Sequence, residues 1–205
     1  MKIVLIGAPG SGKGTLAQNL EKTLGCKHIS VGKLMREEAK TNSSIRQTID
    51  QGNLVDNQII KEILKKRLQQ QDCKQGFILD GYPRNLAQAQ DLIDLENIDY
   101  VFYLQIPEME VYNRLQNRLS CINCNAVYDK RKENILVCKQ CGAQLEVRRD
   151  DTKEVIKHRL EVFNQTIKDV LKVFENKVIE LSATKSPQEL TLQISKILNE
   201  GAKKS

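Results

Sequence analysis

The segment GAPGSGKGT, residues 7–15, combines four glycines with a lysine and two hydroxyl side chains. Glycines let successive backbone N–H groups turn toward one point, and a helix that begins there adds partial positive charge. An apolar run over Lys2–Gly7 precedes the segment, and a helical pattern from about Gly12 to Leu24 follows it. This strand–loop–helix context distinguishes a phosphate-binding loop from a simple glycine-rich turn. We expect a nucleoside triphosphate to contact Gly10, Ser11, Gly12, Lys13, Gly14 and Thr15.

An acidic residue and an arginine follow a second apolar run, FILD, in the string FILDGYPR. Asp80 ends this run, which is where a phosphate-loop protein holds its magnesium, and Arg84 comes four residues later. Further arginines stand at positions 36, 114, 118, 148 and 159. Any one arginine is more often a solvated surface residue. Together they supply the positive charge that phosphoryl transfer needs around its phosphates.

Four of the six cysteines form two CxxC pairs in one 21-residue window: Cys121 with Cys124, and Cys138 with Cys141. Thirteen residues separate the pairs, a few fewer than the usual spacer, and two CxxC pairs in one segment match a zinc site with four cysteine ligands. Four thiolates complete a tetrahedron, so this metal would be structural. Asn125 and Gly142 follow the two pairs and favour turns. Two disulfides or four free thiols are the alternatives, and Cys26 and Cys73 are expected to be buried apolar residues.

The elements that must hold these residues alternate between strands and helices. The apolar runs predict strands over Lys2–Gly7, His28–Ser30, Phe77–Asp80, Val101–Ile106 and Val178–Leu181. The patterns between and after them predict helices over Gly12–Leu24, Leu86–Leu95, Glu108–Leu119, Asp151–Phe174 and Pro187–Asn199. Continuous apolar strands separated by helices predict an α/β fold with a five-stranded parallel sheet covered on both faces, as in P-loop NTPases.

Two segments fit this alternation badly, and both are expected to be insertions. Residues 31–70 hold three polar helical stretches without a strand, and residues 120–149 hold the cysteines with little helical periodicity. We therefore expect a core of residues 1–29, 60–119 and 152–205. The insertions would be residues 30–59 and 120–151.

Composition limits the classes of protein that the chain can belong to. Its 205 residues are 40% hydrophobic and 28% charged, which excludes disordered and collagenous chains. The net charge of +6 suits an anionic ligand. Aromatic residues make up only 4%, which disfavours the alternative of a zinc ribbon that binds nucleic acid. No apolar run reaches the roughly 18 residues of a membrane span and no export signal is evident, so a cytoplasmic location is expected.

Five motifs run through the chain in one order: GAPGSGKGT, HISVGKLMR, DGYPRNLAQAQ, RLQNR, and RRDD followed by an arginine. In this order they resemble the adenylate kinase family, in its long form with a zinc-bearing lid. DGYPR after a phosphate loop is typical of nucleoside monophosphate kinases. The resemblance implies the reaction ATP + AMP ⇌ 2 ADP with Mg²⁺, a monomer, and two mobile domains. Residues 30–59 would cover AMP and residues 120–151 would close over ATP.

The resemblance also implies roles for individual residues. The catalytic set would be Lys13, Asp80, Arg84, Arg118, Arg148 and Arg159. Beside the phosphate loop, the ATP site would include Arg118, Tyr128 and Lys185. The AMP site would include Val31, Arg36, Leu54, Val55, Gly81, Arg84, Gln88, Arg148 and Arg159, with Gln88 at the adenine edge. Structural Zn²⁺ would bind the four paired cysteines.

Two further short segments bear on alternative activities. The chain has Val31-Gly32-Lys33 where the family usually has Thr-Gly-Asp, which removes a hydroxyl from the monophosphate side. A UMP/CMP-type kinase is therefore an alternative. A GTPase needs Asn-Lys-x-Asp after a strand, and the nearest string, residues 176–179, lacks the acid. A generic ATPase remains a further alternative.

Overall fold

The computed structural model describes residues 1–124, 126–132 and 135–202. Its strands are β1 (Lys2–Gly7), β2 (Lys27–Ser30), β3 (Phe77–Asp80), β4 (Tyr100–Gln105), β5 (Arg118–Cys121), β6 (Val127–Asp129), β7 (Leu145–Glu146) and β8 (Val178–Ser182). Five of them form one parallel sheet in the order β2-β3-β1-β4-β8. The predicted α/β fold class is confirmed.

The helices are α1 (Lys13–Leu24), α2 (Val31–Glu38), α3 (Ser43–Asp50), α4 (Asn57–Leu68), α5 (Leu86–Leu95), α6 (Glu108–Gln116), α7 (Lys153–Val173) and α8 (Pro187–Ala202). Five begin after a residue whose side chain accepts hydrogen bonds from the first free N–H groups, namely Asn42, Asp56, Asn85, Thr152 and Ser186. None of the helices in the described ranges is long and apolar enough to cross a bilayer.

The core has one apolar cluster on each face of the parallel sheet, because side chains alternate along each strand. Val4 and Ile6 of β1 belong to the cluster that α4, α5 and α7 cover. Ile3 and Leu5 belong to the other cluster, beneath α1 and α8. The carboxyl ends of the strands lie along one edge of the sheet, and the phosphate loop follows β1 at that edge.

Residues 30–59 form α2, α3 and their connections, and their apolar side chains join the main core. Met35, Ile45 and Val55 are buried in the same cluster as Val4 and Ile6 of the central strand. This segment therefore rests on the hydrophobic core of the sheet.

Residues 118–146 form a separate antiparallel sheet in the order β6-β5-β7. The predicted helix over Glu108–Leu119 is wrong at its end: the helix stops at Gln116, and Asn117 leaves helical geometry (φ −103°, ψ 7°). Arg118 begins β5 because its backbone pairs with Asp129 of β6. A separate cluster of buried residues in this small sheet consists of Cys121, Ala126 and Cys138.

Candidate active site

The phosphate loop turns sharply between β1 and α1, and its glycines are required by geometry. Gly10 and Gly12 have positive φ angles of 76° and 91°, which side chains other than glycine rarely adopt. A Cβ atom on Gly7 would lie 2.8 Å from the carbonyl oxygen of Leu104 and 2.8 Å from Oγ of Ser11. The predicted loop thus forms at the carboxyl edge of the sheet, where ligands bind in open α/β folds.

Lys13 lies at the start of α1 with its ammonium group folded over the loop. Its Nζ donates to the carbonyl oxygens of Gly7 at 2.7 Å and Ala8 at 2.9 Å. Burial, together with the positive charges of Arg84 and other arginines, lowers the pKa of Lys13 to about 8, although Asp80 opposes the shift. A phosphate group placed here would stabilise the charged form of the lysine.

Asp80 ends β3 beside this lysine. Its Oδ2 atom lies 3.6 Å from Nε2 of His28, a buried ring nitrogen. Burial would raise the pKa of Asp80, but His28, Lys13 and Arg84 lower it below its ordinary value. Asp80 is therefore a carboxylate at neutral pH, as Mg²⁺ and its waters require. His28 was not predicted as a site residue, because the sequence does not reveal the register between β2 and β3.

Two arginines from different elements converge near the turn after β3. A Cβ atom on Gly32 would lie 3.4 Å from Nη1 of Arg36 and 3.8 Å from Nη2 of Arg84, so both guanidinium groups lie close to this glycine. Nε of Arg36 is buried and has no hydrogen-bond partner within the described ranges. Burial and the charge of Arg159 lower the pKa of Arg84 to about 10. Guanidinium groups held this close to one another favour an anion as their ligand.

Three further arginines lie where the small sheet joins α7. Arg118 donates to both carboxylate oxygens of Asp151, at 2.7 and 2.5 Å. Arg159 Nη1 donates to Asp150 Oδ2 at 2.7 Å. Arg148 Nε donates to Oγ of Ser120 at 2.7 Å. The two aspartates and Ser120 hold these guanidinium groups in place before any nucleotide binds.

Burial and mutual repulsion show that these cations form one electrostatic unit. Burial, followed by the charges of Arg118 and Arg36, lowers the pKa of Arg148 to about 9. Burial lowers the pKa of Arg36. The charge of Asp150 raises this pKa, and the charges of Arg118 and Arg159 lower it further. Five arginines and one lysine thus surround three carboxylates: Arg36, Arg84, Arg118, Arg148, Arg159 and Lys13 around Asp80, Asp150 and Asp151. Such a surplus of buried positive charge suits a ligand with several phosphates.

An apolar pocket opens next to Arg36 and Arg84. Its wall includes Val31, Met35, Leu54, Val55 and Gly81. The predicted base-reading residue Gln88 lies behind this wall and is fully buried. Its Oε1 accepts from the backbone N–H of Arg84 at 2.8 Å, and its Nε2 donates to Oδ1 of Asn57 at 2.9 Å. In this structure Gln88 therefore supports the Arg84 turn.

The triphosphate side contains an arginine to which the sequence motifs assigned no role. Arg114 Nη2 donates to the carbonyl oxygen of Ala183 at 2.8 Å, and Nη1 lies 3.7 Å from where a Cβ on Gly12 would be. Arg114 thus connects the phosphate loop with the segment after β8. Its position four residues before Arg118 in the sequence was the available signal. The predicted ATP contact Lys185 instead donates to Gln193 of α8 at 2.9 Å.

The four paired cysteines come together in the small sheet. Their Sγ atoms all lie within 4.8 Å of one another, with 3.4 Å between Cys121 and Cys141 and 3.5 Å between Cys124 and Cys138. A tetrahedral zinc site with Zn–S bonds of about 2.3 Å has S–S edges of about 3.8 Å, so these thiols fit zinc. Gly142 turns with φ 73°, and Asn125 lies outside the described residues.

Tyr128, predicted to contact ATP, lies at this cysteine cluster. Its hydroxyl oxygen is 3.3 Å from Sγ of Cys138. Cys26 and Cys73, in contrast, are buried in the main core as expected.

Comparison with known proteins identifies the family of the chain. The family model for adenylate kinase matches residues 5–179. The chain belongs to the adenylate kinase family. It is 38% identical to an adenylate kinase of Caldicellulosiruptor saccharolyticus over 197 residues, covering 89% of this chain and 91% of that protein. It is 35% identical to an adenylate kinase of Archaeoglobus fulgidus over 214 residues, covering 97% and 98%. A third adenylate kinase, from Pseudothermotoga lettingae, is 32% identical over 212 residues, covering 97% and 98%.

Adenylate kinase family membership makes the chain a nucleotide-binding phosphotransferase. The family uses ATP with Mg²⁺ and binds ATP, AMP and ADP. The phosphate loop, the carboxylate at the end of β3 and the arginine cluster are the features such an enzyme needs.

Proposed function

We propose that this adenylate kinase family member is an ATP:AMP phosphotransferase that catalyses ATP + AMP ⇌ 2 ADP. The observation that carries the proposal is the convergence of Arg36 and Arg84 beside a partly apolar pocket, within the same cluster of cations as Lys13. Two arginines match the oxygens of a monophosphate, and an apolar wall suits a flat base. The phosphate loop offers a second, separate place for a triphosphate.

In the proposed reaction an oxygen of the AMP phosphate attacks the γ-phosphorus of ATP. The bond between that phosphorus and the β-γ bridging oxygen breaks, and ADP leaves. No side chain forms a covalent bond, so the protein contributes position and charge. Arg36 and Arg84 would hold the AMP phosphate. Lys13 and the arginines at 118, 148 and 159 would neutralise the charge that spreads over the transferring group.

Mg²⁺, when bound with ATP, would neutralise the β- and γ-phosphates. Asp80 would orient its waters, since this carboxylate is ionised and lies beside Lys13. Thr15 supplies an exposed hydroxyl in the first turn of α1, directly after the loop.

The proposed division into moving parts follows the two insertions. Residues 30–59 would close over AMP and residues 120–151 over ATP, both against a core of residues 1–29, 60–119 and 152–205. Closure would exclude water, which would otherwise accept the phosphoryl group and waste ATP. The lid would carry a structural Zn²⁺ on its four thiols, because their spacing fits a tetrahedral ion.

A phosphotransfer assay tests the proposed substrate. ATP with Mg²⁺ is offered in turn with AMP, GMP, UMP, CMP and dTMP, and formation of each diphosphate is measured. We expect the highest kcat/KM with AMP. A higher value with UMP or CMP would instead establish a UMP/CMP-type kinase, which the apolar Val31 in the pocket wall favours as the second candidate.

Two solution properties complete the proposal. We propose a cytoplasmic monomer, in which the thiols stay reduced and available to zinc. Light scattering after size exclusion would give 23.4 kDa for a monomer. Metal analysis of freshly purified protein should find one zinc per chain, and protein without metal would contradict the zinc site.

A further inference from the structure

Tyr128 reaches from one half of the small sheet to the other. It lies on β6 and pairs with Leu119 of β5, in the hairpin whose turn carries Cys124. Its hydroxyl oxygen, however, contacts the second cysteine pair: it is 3.3 Å from Sγ of Cys138 and 3.0 Å from the backbone nitrogen of Lys139. The side chain therefore bridges the two cysteine loops.

The direction of both hydrogen bonds follows from the chemistry of the groups. A backbone N–H can only donate, so the hydroxyl of Tyr128 accepts from Lys139. A metal-bound thiolate carries no proton, so in the metal-bound site the hydroxyl donates its own hydrogen to the sulfur of Cys138. The backbone N–H of Gln140 points at the same sulfur, at 3.4 Å. A metal-bound thiolate would thus receive two donors, which is the arrangement that stabilises its negative charge.

Backbone pairing of β5 with β7 and the partly buried side chains of Tyr128, Ala143 and Leu145 join the two cysteine loops. The buried members of this cluster are Cys121, Ala126 and Cys138, and two of these three are themselves candidate ligands. The Tyr128 hydroxyl adds a hydrogen bond that reaches a ligand sulfur from the other loop, so it sets where that sulfur lies within this frame. Groups that hydrogen-bond to metal ligands fix ligand orientation, and their loss typically weakens metal binding about tenfold to a hundredfold.

We propose that Tyr128 is a positioning residue for the metal site, which orients the Cys138 sulfur through its hydroxyl. This inference rests on the proposed zinc site. It assigns the lid tyrosine a role in metal retention, and the hydroxyl is the atom that carries it.

The test compares Tyr128→Phe with the matched control Tyr112→Phe, which removes a hydroxyl from α6 beside a separate apolar cluster. Zinc affinity is measured by competition with a chromophoric chelator, on otherwise intact protein. The expected result is a loss of about tenfold to a hundredfold in Tyr128→Phe and no change in the control. With Co²⁺ in place of zinc, the thiolate-to-cobalt absorption bands should shift in Tyr128→Phe alone.

Three outcomes would overturn the inference or its basis. If wild-type protein binds no zinc, the proposed metal site itself fails. If wild-type protein binds zinc and both variants release it alike, only the role of Tyr128 fails. Melting temperatures are therefore also measured in excess chelator. If Tyr128→Phe lowers the melting temperature of the metal-free protein as much as that of the zinc-bound protein, the hydroxyl stabilises the fold without orienting the metal.

Discussion

The two insertions of this adenylate kinase family member are stabilised in different ways. Met35, Ile45 and Val55 of residues 30–59 are buried in the hydrophobic cluster of the main sheet. The small sheet of residues 118–146 has its own cluster, whose buried members are two cysteines and one alanine. The first insertion therefore shares the stability of the core, while the second has too little apolar surface to hold its own strands.

The difference teaches how one chain can carry two flaps that act on one centre. Arg36 comes from the helical insertion, and Arg148 comes from the edge of the cysteine-bearing insertion. Both belong to the same buried cluster of positive charge. A metal can replace a hydrophobic core in a small segment, because binding free energy then becomes folding free energy.

The largest expected effect concerns what the two insertions share. Arg36→Ala and Arg148→Ala should each lower kcat/KM by about a hundredfold to a thousandfold, since each removes a charge aimed at phosphate. Arg36→Ala should act mainly through the KM for AMP, and Arg148→Ala mainly through kcat. The control is Arg149→Ala, whose exposed side chain lies 3.9 Å from Asp50. Equal activity of Arg148→Ala and Arg149→Ala would remove Arg148 from the site.

Chelation should separate the two insertions directly. Without zinc, the amides of Arg118–Cys121 and Val127–Asp129 should exchange faster with deuterium, because only the β5–β7 pairing and the Tyr128 hydrogen bonds then join the cysteine loops. Amides of α2 and of the parallel strands should keep their wild-type protection. The measurement is hydrogen–deuterium exchange by mass spectrometry with and without chelator. Protection of the small sheet that survives complete metal removal would contradict the comparison.

Removing an apolar contact from the helical insertion should instead weaken the whole domain. Ile45→Ala creates a cavity in the main cluster and should lower the free energy of unfolding by about 2–4 kcal/mol. Urea unfolding should remain a single transition, since this insertion and the sheet share one core. Ile59→Ala, at a residue 38% exposed on α4, is the control and should cost much less. A separate early transition in Ile45→Ala would show that the insertion unfolds alone.

The elements that carry strong local signals were predicted well from the sequence. Phe77–Asp80 and Leu86–Leu95 have the predicted bounds, because a wholly buried strand and a capped helix are encoded locally. The strand at Arg118–Cys121 was missed since it continues a helical pattern and forms only by pairing with Val127–Asp129. Its partner lies across a turn that no local pattern specifies.

Site residues show the same division. Lys13, Asp80 and Arg84 lie in local motifs, so the sequence alone was enough to single them out as candidates. The contacts of Gln88 and Tyr128 depend on which distant groups approach them: Asn57 for the first, Cys138 for the second. Such partners are 31 and 10 residues away, beyond the range of any helical or strand period.

A smaller effect is expected where the helical insertion touches α7. Gly52 has φ 78°, and a Cβ there would lie 2.8 Å from Cγ1 of Val155 and 2.9 Å from Cγ of Arg159. Gly52→Ala should therefore push the insertion from α7, raise the KM for AMP and lower the free energy of unfolding by about 1–3 kcal/mol. Gly25→Ala is the control, because φ is 70° there with no atom within 4 Å. Equal effects of the two substitutions would mean backbone strain alone, without contact to α7.

The smallest expected effect is on how the free energy of unfolding depends on pH. This dependence should come from Lys13 in the core and from neither insertion. The pKa of Lys13 is about 8 in the folded chain and 10.5 when the lysine is free. Unfolding therefore takes up a proton between these values, so the free energy of unfolding of the nucleotide-free protein should rise with pH from about 8 toward 10.5. Urea titrations from about pH 7.5 to about pH 9.5 measure this slope, and Lys13→Met should reduce it. The reduction should be the same in chelator, since Lys13 lies in the core; a slope that Lys13→Met alters only with zinc present would tie the lysine to the lid.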